Sequence, residues 1–115
     1  MSIDPGQFGG ATRLRVHLDS HAHGVIVARV VGALDLATTA MLDAELSLAF
    51  AAGPCRLLVL DLAGVEYLDS TGLRALWTIR QSMRELRGSL VLRRPSAAVL
   101  HVLESAGLTA MFEVA

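Results

Sequence analysis

The sequence predicts an α/β domain: a single layer of four to five strands, mostly parallel after an antiparallel N-terminal hairpin, packed against three to four helices. Three observations carry that expectation. Two strand-like segments separated by a turn at residues 20–24 read as a hairpin. From there on, short apolar runs alternate with segments of helical period, the pattern of strands joined by crossover helices. One of those runs, residues 56–62, is apolar almost throughout, as expected of a strand covered on both faces.

In order along the chain, residues 1–12 hold three glycines and a proline and are expected to form a loose tail ahead of a domain at 13–115. Segment 13–19 alternates, with Leu14, Val16 and Leu18 on one side and Arg13, Arg15 and His17 on the other, so it reads as a half-buried strand. The β-branched run at 25–31 is a second strand, ended by Gly32-Ala33-Leu34-Asp35. A helix is expected over about 37–52, with Leu42, Leu46 and Ala49 on one face, Phe50 beside them, and Gly53-Pro54 as its stop. The strand at 56–62 carries Asp61 near its end, and 63–68 reads as a short connection. Asp69-Ser70-Thr71-Gly72 opens a second helix that runs to about Arg87 and closes at Gly88. Residues 89–93 form a further strand. Pro95-Ser96 starts a third helix with Val99, Val102, Leu103 and Ala106 facing inward. Gly107 ends it, and Leu108 is placed for the apolar contact of a Schellman cap. Segment 111–114 has the length of a short edge strand.

Composition narrows the function classes. Apolar residues make up 53% of the chain, enough for a core without staples. Cys55 is the only cysteine, so no intrachain disulfide is available, and a lone thiol suits a reducing compartment. The formal net charge of −1 gives no general attraction to nucleic acid or to an anionic membrane. The N-terminus lacks a basic start and an apolar stretch of the secretory kind, and no apolar run approaches the roughly 20 residues of a membrane helix. A soluble, cytoplasmic protein is therefore expected.

Residues 59–73, Val-Leu-Asp-Leu-Ala-Gly-Val-Glu-Tyr-Leu-Asp-Ser-Thr-Gly-Leu, strongly resemble the signature of STAS domains, and within them the bacterial anti-sigma factor antagonists. Gly32-Ala33-Leu34-Asp35 resembles an earlier Gly-x-Leu-Asp element of the family, and Leu103-Glu104-Ser105-Ala106-Gly107-Leu108 its terminal helix and cap. The likeness spans roughly 13–115. It implies a non-enzymatic switch without a cofactor. Such an antagonist binds an anti-sigma factor that is also an ATP-binding serine kinase, and so frees a sigma factor. The kinase phosphorylates the serine of the Asp-Ser-Thr-Gly element, which by position is Ser70; the phosphorylated protein lets go, and a metal-dependent serine phosphatase resets it. Asp69 and Gly72 would shape this site, Thr71 would be a second acceptor, and Asp35 would border the docking surface.

The residues themselves agree with that chemistry. Ser70 falls in the first turn of a helix or at its cap, where backbone N–H groups lack internal partners and the dipole favours negative charge. A phosphate held there need not melt the helix. It adds a charge of about −1.5 to −2 beside Asp69, so placing it inside an interface costs several kcal/mol. Gly72, without a side chain, is expected to let a partner's backbone or a phosphate approach. The bland alternatives stand beside these. Asp, Ser and Thr before an apolar helix are ordinary capping residues, Asp35 is well placed to make a turn, and Asp61 reads as a structural strand end.

The second helix carries two stripes. Leu76, Ile79, Met83 and Leu86 are expected in the core. Leu73, Trp77, Arg80, Arg84 and Arg87 lie on the adjacent face and begin beside Ser70. Tryptophan and arginine are typical interface anchors, so this stripe is a candidate partner surface; alternatively Trp77 laps the core edge and the arginines solvate the helix. Other signals carry less. His17, His21 and His23 cluster near the hairpin, but no carboxylate or cysteine completes a persuasive metal set. Cys55 has no activating base. No Gly-x-Ser-x-Gly elbow or Walker loop is present. Two rivals remain: a stand-alone STAS partner of a transporter ATPase or stressosome scaffold, with Ser70 only a contact residue, and a nucleotide-binding protein using Asp35 and the Ser70 helix terminus.

Overall fold

The structure, a computed structural model, describes residues 13–115; the tail expected at 1–12 lies outside them. The described chain runs β1 (Arg15–His21), β2 (Val25–Leu34), α1 (Thr39–Ala51), β3 (Leu57–Leu68), α2 (Ser70–Glu85), β4 (Ser89–Arg93), α3 (Ala97–Ser105) and β5 (Glu113–Val114), with short 3-10 turns at Ala22–Gly24 and Thr109–Met111. The strands form one sheet in sequence order, β1-β2-β3-β4-β5. The β1–β2 hairpin is antiparallel and every other pair is parallel. The α/β expectation holds, with five strands and three α-helices among the described residues.

Alternation along the strands divides the sheet into two unlike faces. Ile26, Ala28 and Val30 of β2, Leu58, Leu60 and Leu62 of β3, and Leu90 and Leu92 of β4 are buried. They join Leu42 and Leu46 of α1, Leu76, Ile79 and Met83 of α2, and Val99 and Leu103 of α3 in one core. The intervening Val25, Val27, Val31, Leu57, Val59 and Val91 are only half-buried, and Arg29 between them is exposed. The shortest principal extent is 20 Å, the thickness of one sheet and one helix layer at roughly 10 Å each. The run at 56–62 is thus covered on one face, not two as its composition suggests. Continuous apolarity here reflects a central position in a parallel ladder, where half-exposed valines still pack against their cross-strand neighbours.

The segment 63–68 is a correction as well. It is not a connection but the second half of β3, paired with an equally prolonged β2: Val31 lies opposite Gly64, Gly32 opposite Val65, Ala33 opposite Tyr67 and Leu34 opposite Leu68. Register shifts between Arg29 and Val31 and between Gly32 and Ala33 accompany this. Such bulges change the phase of the in–out alternation, which hides the strand from a period-2 reading. Gly32 sits at φ +114°, and a Cβ there would lie 2.5 Å from the Arg13 carbonyl oxygen, so the crossing of these backbones requires glycine.

Two further positions depart from expectation. Leu86, expected in the core, is the C-cap of α2 and 54% exposed, because the helix ends at Glu85, one residue short of it. Ala106 is exposed at the end of α3. Both helices end in Schellman geometry. At α3, Leu108 N–H donates to Leu103 O at 2.9 Å and Gly107 N–H to Glu104 O at 3.1 Å, as the Gly107-Leu108 pair predicts. At α2, Gly88 N–H donates to Met83 O at 2.8 Å and Arg87 N–H to Arg84 O at 3.0 Å. The left-handed residue there is Arg87, at φ 58°, although glycine would occupy this conformation at about 1–2 kcal/mol less strain.

Asp61, 1% exposed, is the one buried charged residue of the described chain. Its Oδ1 accepts from Ala63 N–H at 3.1 Å, and its Oδ2 from Arg93 Nη2 at 3.1 Å and from Arg94 Nη2. Burial by itself would raise its pKa. The Arg94, Ala63 and Arg93 hydrogen bonds and the Arg94 charge outweigh burial and hold it below the usual carboxylate range. A depressed folded-state pKa stabilises the protein above the unfolded value and ceases to do so as pH falls through the folded one. Asp61→Asn is therefore expected to cost about 1.5–3 kcal/mol at neutral pH. It should also remove part of the stability that the wild type loses below about pH 4. Denaturant melts of both proteins across pH check this; parallel curves for the two would show that Asp61 contributes nothing through its charge.

Candidate functional site

β2 and β3 end side by side, with Leu34 and Leu68 as register partners and Asp69 N–H donating to Leu34 O at 3.4 Å. Asp35 and Asp69 follow directly, so two carboxylates leave the sheet at the same end. Asp69 is the N-cap of α2 in extended conformation, and its Oδ1 accepts from Gly72 N–H at 3.0 Å. Ser70 is the first residue of the helix and is exposed. The cap uses one of the free N–H groups of the first turn, and the serine beside it is open to solvent. Asp69→Ala should cost about 1 kcal/mol, read as a fall in melting temperature of roughly 4–8 °C; an unchanged melting temperature would show that the cap is idle.

Asp35 is engaged in its own turn. Its Oδ1 accepts from Ala37 N–H at 2.9 Å and Thr38 N–H at 3.1 Å, while its N–H donates to Thr38 Oγ1 at 3.0 Å. Thr38 Oγ1 in turn donates to Ala33 O at 2.8 Å. The turn reading of Asp35 is thus present, and the turn also holds Leu36 outward, 77% exposed. Gly72 differs from expectation. It is buried, and a Cβ there would lie 2.3 Å from Leu34 O and 2.6 Å from Leu68 Cδ1. Its missing side chain lets α2 sit against the end of β2 and opens no path to a visitor.

A cavity of about 400 Å³ adjoins the serine, lined by Leu68, Asp69, Ser70, Leu73, His101, Val102, Ser105 and Ala106. The α3 residues among these were not legible as site residues, because only packing brings α3 beside the first turn of α2. Tyr67, 52% exposed, stands at the same end of β3. The stripe on α2 is divided. Leu73 lines the cavity at Ser70. Trp77 packs edge-on to Phe112 with centroids 6.3 Å apart, and the Arg80 guanidinium lies 5.1 Å from the Trp77 ring centroid. Arg80 and Arg84 border a different cavity with Met111, Phe112 and Glu113. Trp77 thus laps the core edge, as the bland reading has it, and only Leu73 of the stripe shares a cavity with the serine.

Among the described residues no three His, Cys, Asp or Glu side chains are grouped so as to hold a metal ion. Cys55 is buried, and that burial pushes its thiol pKa up despite backbone hydrogen bonds at Leu57 and Ile26. No helix of the described residues is long and apolar enough to cross a membrane.

Fold and site together define a class: a one-sheet α/β domain presenting an exposed, Asp-capped serine at a helix start. Comparison with known proteins agrees. The STAS domain family model matches residues 19–115. The candidate anti-sigma factor antagonist BtrV of Bordetella bronchiseptica is 34% identical over 92 residues, covering 80% of this chain and 78% of that protein. An anti-sigma factor antagonist from Mycobacterium paratuberculosis superposes with a TM-score of 0.72 at 27% identity, over 88% of this chain and 84% of that one. The Bacillus antagonist SpoIIAA superposes in its unphosphorylated form with a TM-score of 0.74 at 22% identity, over 88% of both chains. Its phosphorylated form gives 0.68 at 21% identity, over 88% of this chain and 91% of that one. The chain belongs to the STAS domain family and, within it, to the anti-sigma factor antagonists.

Proposed function

We propose that this protein is a phosphorylation-controlled binding switch. Unphosphorylated, it docks through the Ser70 end of the sheet on an anti-sigma factor that is an ATP-binding serine kinase, and so releases a sigma factor. That kinase phosphorylates Ser70 and the complex parts; a metal-dependent serine phosphatase restores the docking form. The protein performs no catalysis of its own. The observation that carries this reading is the exposed Ser70 hydroxyl in the first turn of α2, beside the Asp69 cap and on the rim of an apolar cavity. The names of the relatives support it, as does the existence of SpoIIAA in a phosphorylated form.

Each nearby residue then has a part. Asp69 fixes the helix start that presents the hydroxyl, and Thr71, half-buried, is the lesser acceptor. Gly72 acts through the backbone packing that sets α2 in place. Leu36, Tyr67 and Leu73 offer apolar contact around the serine, and Asp35 supplies a second negative charge at the rim. Trp77 and Arg80 act at one remove, by fixing α2 against Phe112. The deciding experiment is tandem mass spectrometry of the protein recovered from its own cells with and without stress. A phosphate localised to Ser70 and varying in occupancy is expected; an unmodified Ser70 under all conditions would overturn the reading.

A further inference from the structure

The open sheet face carries a second feature at the end remote from Ser70. Val25, Leu57 and Ser89 are register partners across β2, β3 and β4 and form one row of that face. Over this row lies a cavity of about 420 Å³ lined by His23, Val25, Arg56, Leu57, Arg87 and Ser89. No carboxylate lines it, and among the described residues neither Arg56 nor Arg87 is held in an ion pair. In a chain of formal net charge −1, two free guanidiniums over one shallow depression are a local excess of positive charge.

The rim is also built rigidly. Arg56 N–H donates to Gly24 O at 2.7 Å, and Arg56 O accepts from Ser89 N–H at 2.9 Å, so the hairpin turn, the start of β3 and the start of β4 are tied together. Three non-glycine residues of the described chain have positive φ, and two of them, His23 at 66° and Arg87 at 58°, stand on this rim. Strained conformations that a fold nonetheless retains gather at functional sites. At Arg87 the strain falls where glycine is the usual occupant, and what the arginine adds is its side chain over the cavity.

We propose that this depression binds a small organic phosphate. The phosphate group sits on the guanidinium forks of Arg56 and Arg87, with the Ser89 hydroxyl and the His23 imidazole as further donors, and the apolar body of the ligand lies on Val25 and Leu57. Two forks and two further donors exceed what the two oxygens of a carboxylate can take up; a phosphomonoester, with three terminal oxygens and a charge near −2, matches them. The site is separate from Ser70 and does not depend on the switch proposed there.

The test is a heteronuclear NMR titration of the whole protein with phenyl phosphate and with inorganic phosphate. Saturable shifts are expected at Val25, Leu57 and Ser89, with phenyl phosphate bound roughly tenfold tighter than inorganic phosphate because its ring covers the apolar floor. Arg56→Gln and Arg87→Gly should each weaken binding by about tenfold or more. Arg87→Gly should melt no lower than the wild type, since glycine suits its backbone conformation, so lost binding there cannot be blamed on unfolding. Shifts gathered at Ser70, no shifts at millimolar phenyl phosphate, or wild-type binding in both arginine variants would overturn the proposal.

Discussion

A Ser70→Glu variant is expected to bind the anti-sigma factor partner at least about a hundredfold more weakly than the wild type while folding as well. The two effects have separate causes. In the free protein the new carboxylate lies in the first turn of α2, where the helix dipole favours it by about 0.3–1 kcal/mol, so the melting temperature should hold or rise. In the proposed complex the same charge would be carried into an interface bordered by Asp35 and Asp69 and floored by Leu36 and Leu73. Burying an uncompensated charge there costs several kcal/mol, and each 1.4 kcal/mol is about tenfold in affinity. Ser70→Ala, which adds no charge, should bind within a few-fold of the wild type. Calorimetric titration of these three proteins and of the Ser70-phosphorylated wild type with the proposed partner kinase separates the possibilities. Wild-type affinity in Ser70→Glu and in the phosphorylated protein would show that the serine is not the switch, whatever its modification state.

Gly72→Ala should be among the most destabilising single substitutions in the chain, at about 3 kcal/mol or more, with a fall in melting temperature on the order of 15 °C. The added methyl would stand 2.3 Å from a backbone carbonyl, Leu34 O, and 2.6 Å from Leu68 Cδ1. A leucine tip can rotate away. The carbonyl cannot, because it closes the ladder between β2 and β3 and accepts from Asp69 N–H. Relief therefore requires the whole first turn of α2 to lift, and with it the Asp69 cap. The variant should lose partner binding along with stability, since Ser70 moves with the turn. A thermal melt within about 4 °C of the wild type, a shift worth under 1 kcal/mol, would show that α2 is not held against β2 as described.

The two expectations differ in how far the sequence alone leads to them. Ser70 was legible because capping is local. An Asp before Ser-Thr-Gly and an apolar helical stripe needs only the first-turn N–H groups to make sense, and the structure places Asp69 and Ser70 as that pattern requires. The hairpin and the Gly107-Leu108 cap are local in the same way, each fixed by residues a few positions apart. Gly72 is expected to open room for a visitor, whereas the structure uses its missing side chain for packing against β2. The backbone it packs against, at Leu34, belongs to β2 and lies 38 positions earlier in the chain, so no local pattern reveals that contact.

The sequence by itself determined the element order, the core stripes of the three helices up to their last turns and the capped serine, because hydrophobic period and turn chemistry act over one or two turns of chain. Only the tertiary structure decided the rest. It extended β2 and β3 through paired bulges that reverse the alternation, and among the described residues it left the valine face of the sheet without helices. It brought α3 beside Ser70 to make a cavity, sealed Trp77 onto Phe112, and gathered His23, Arg56 and Arg87 over one row of strands. The contacts among these join residues more than a dozen positions apart, and they are set by how the layers pack rather than by any preference a short segment expresses.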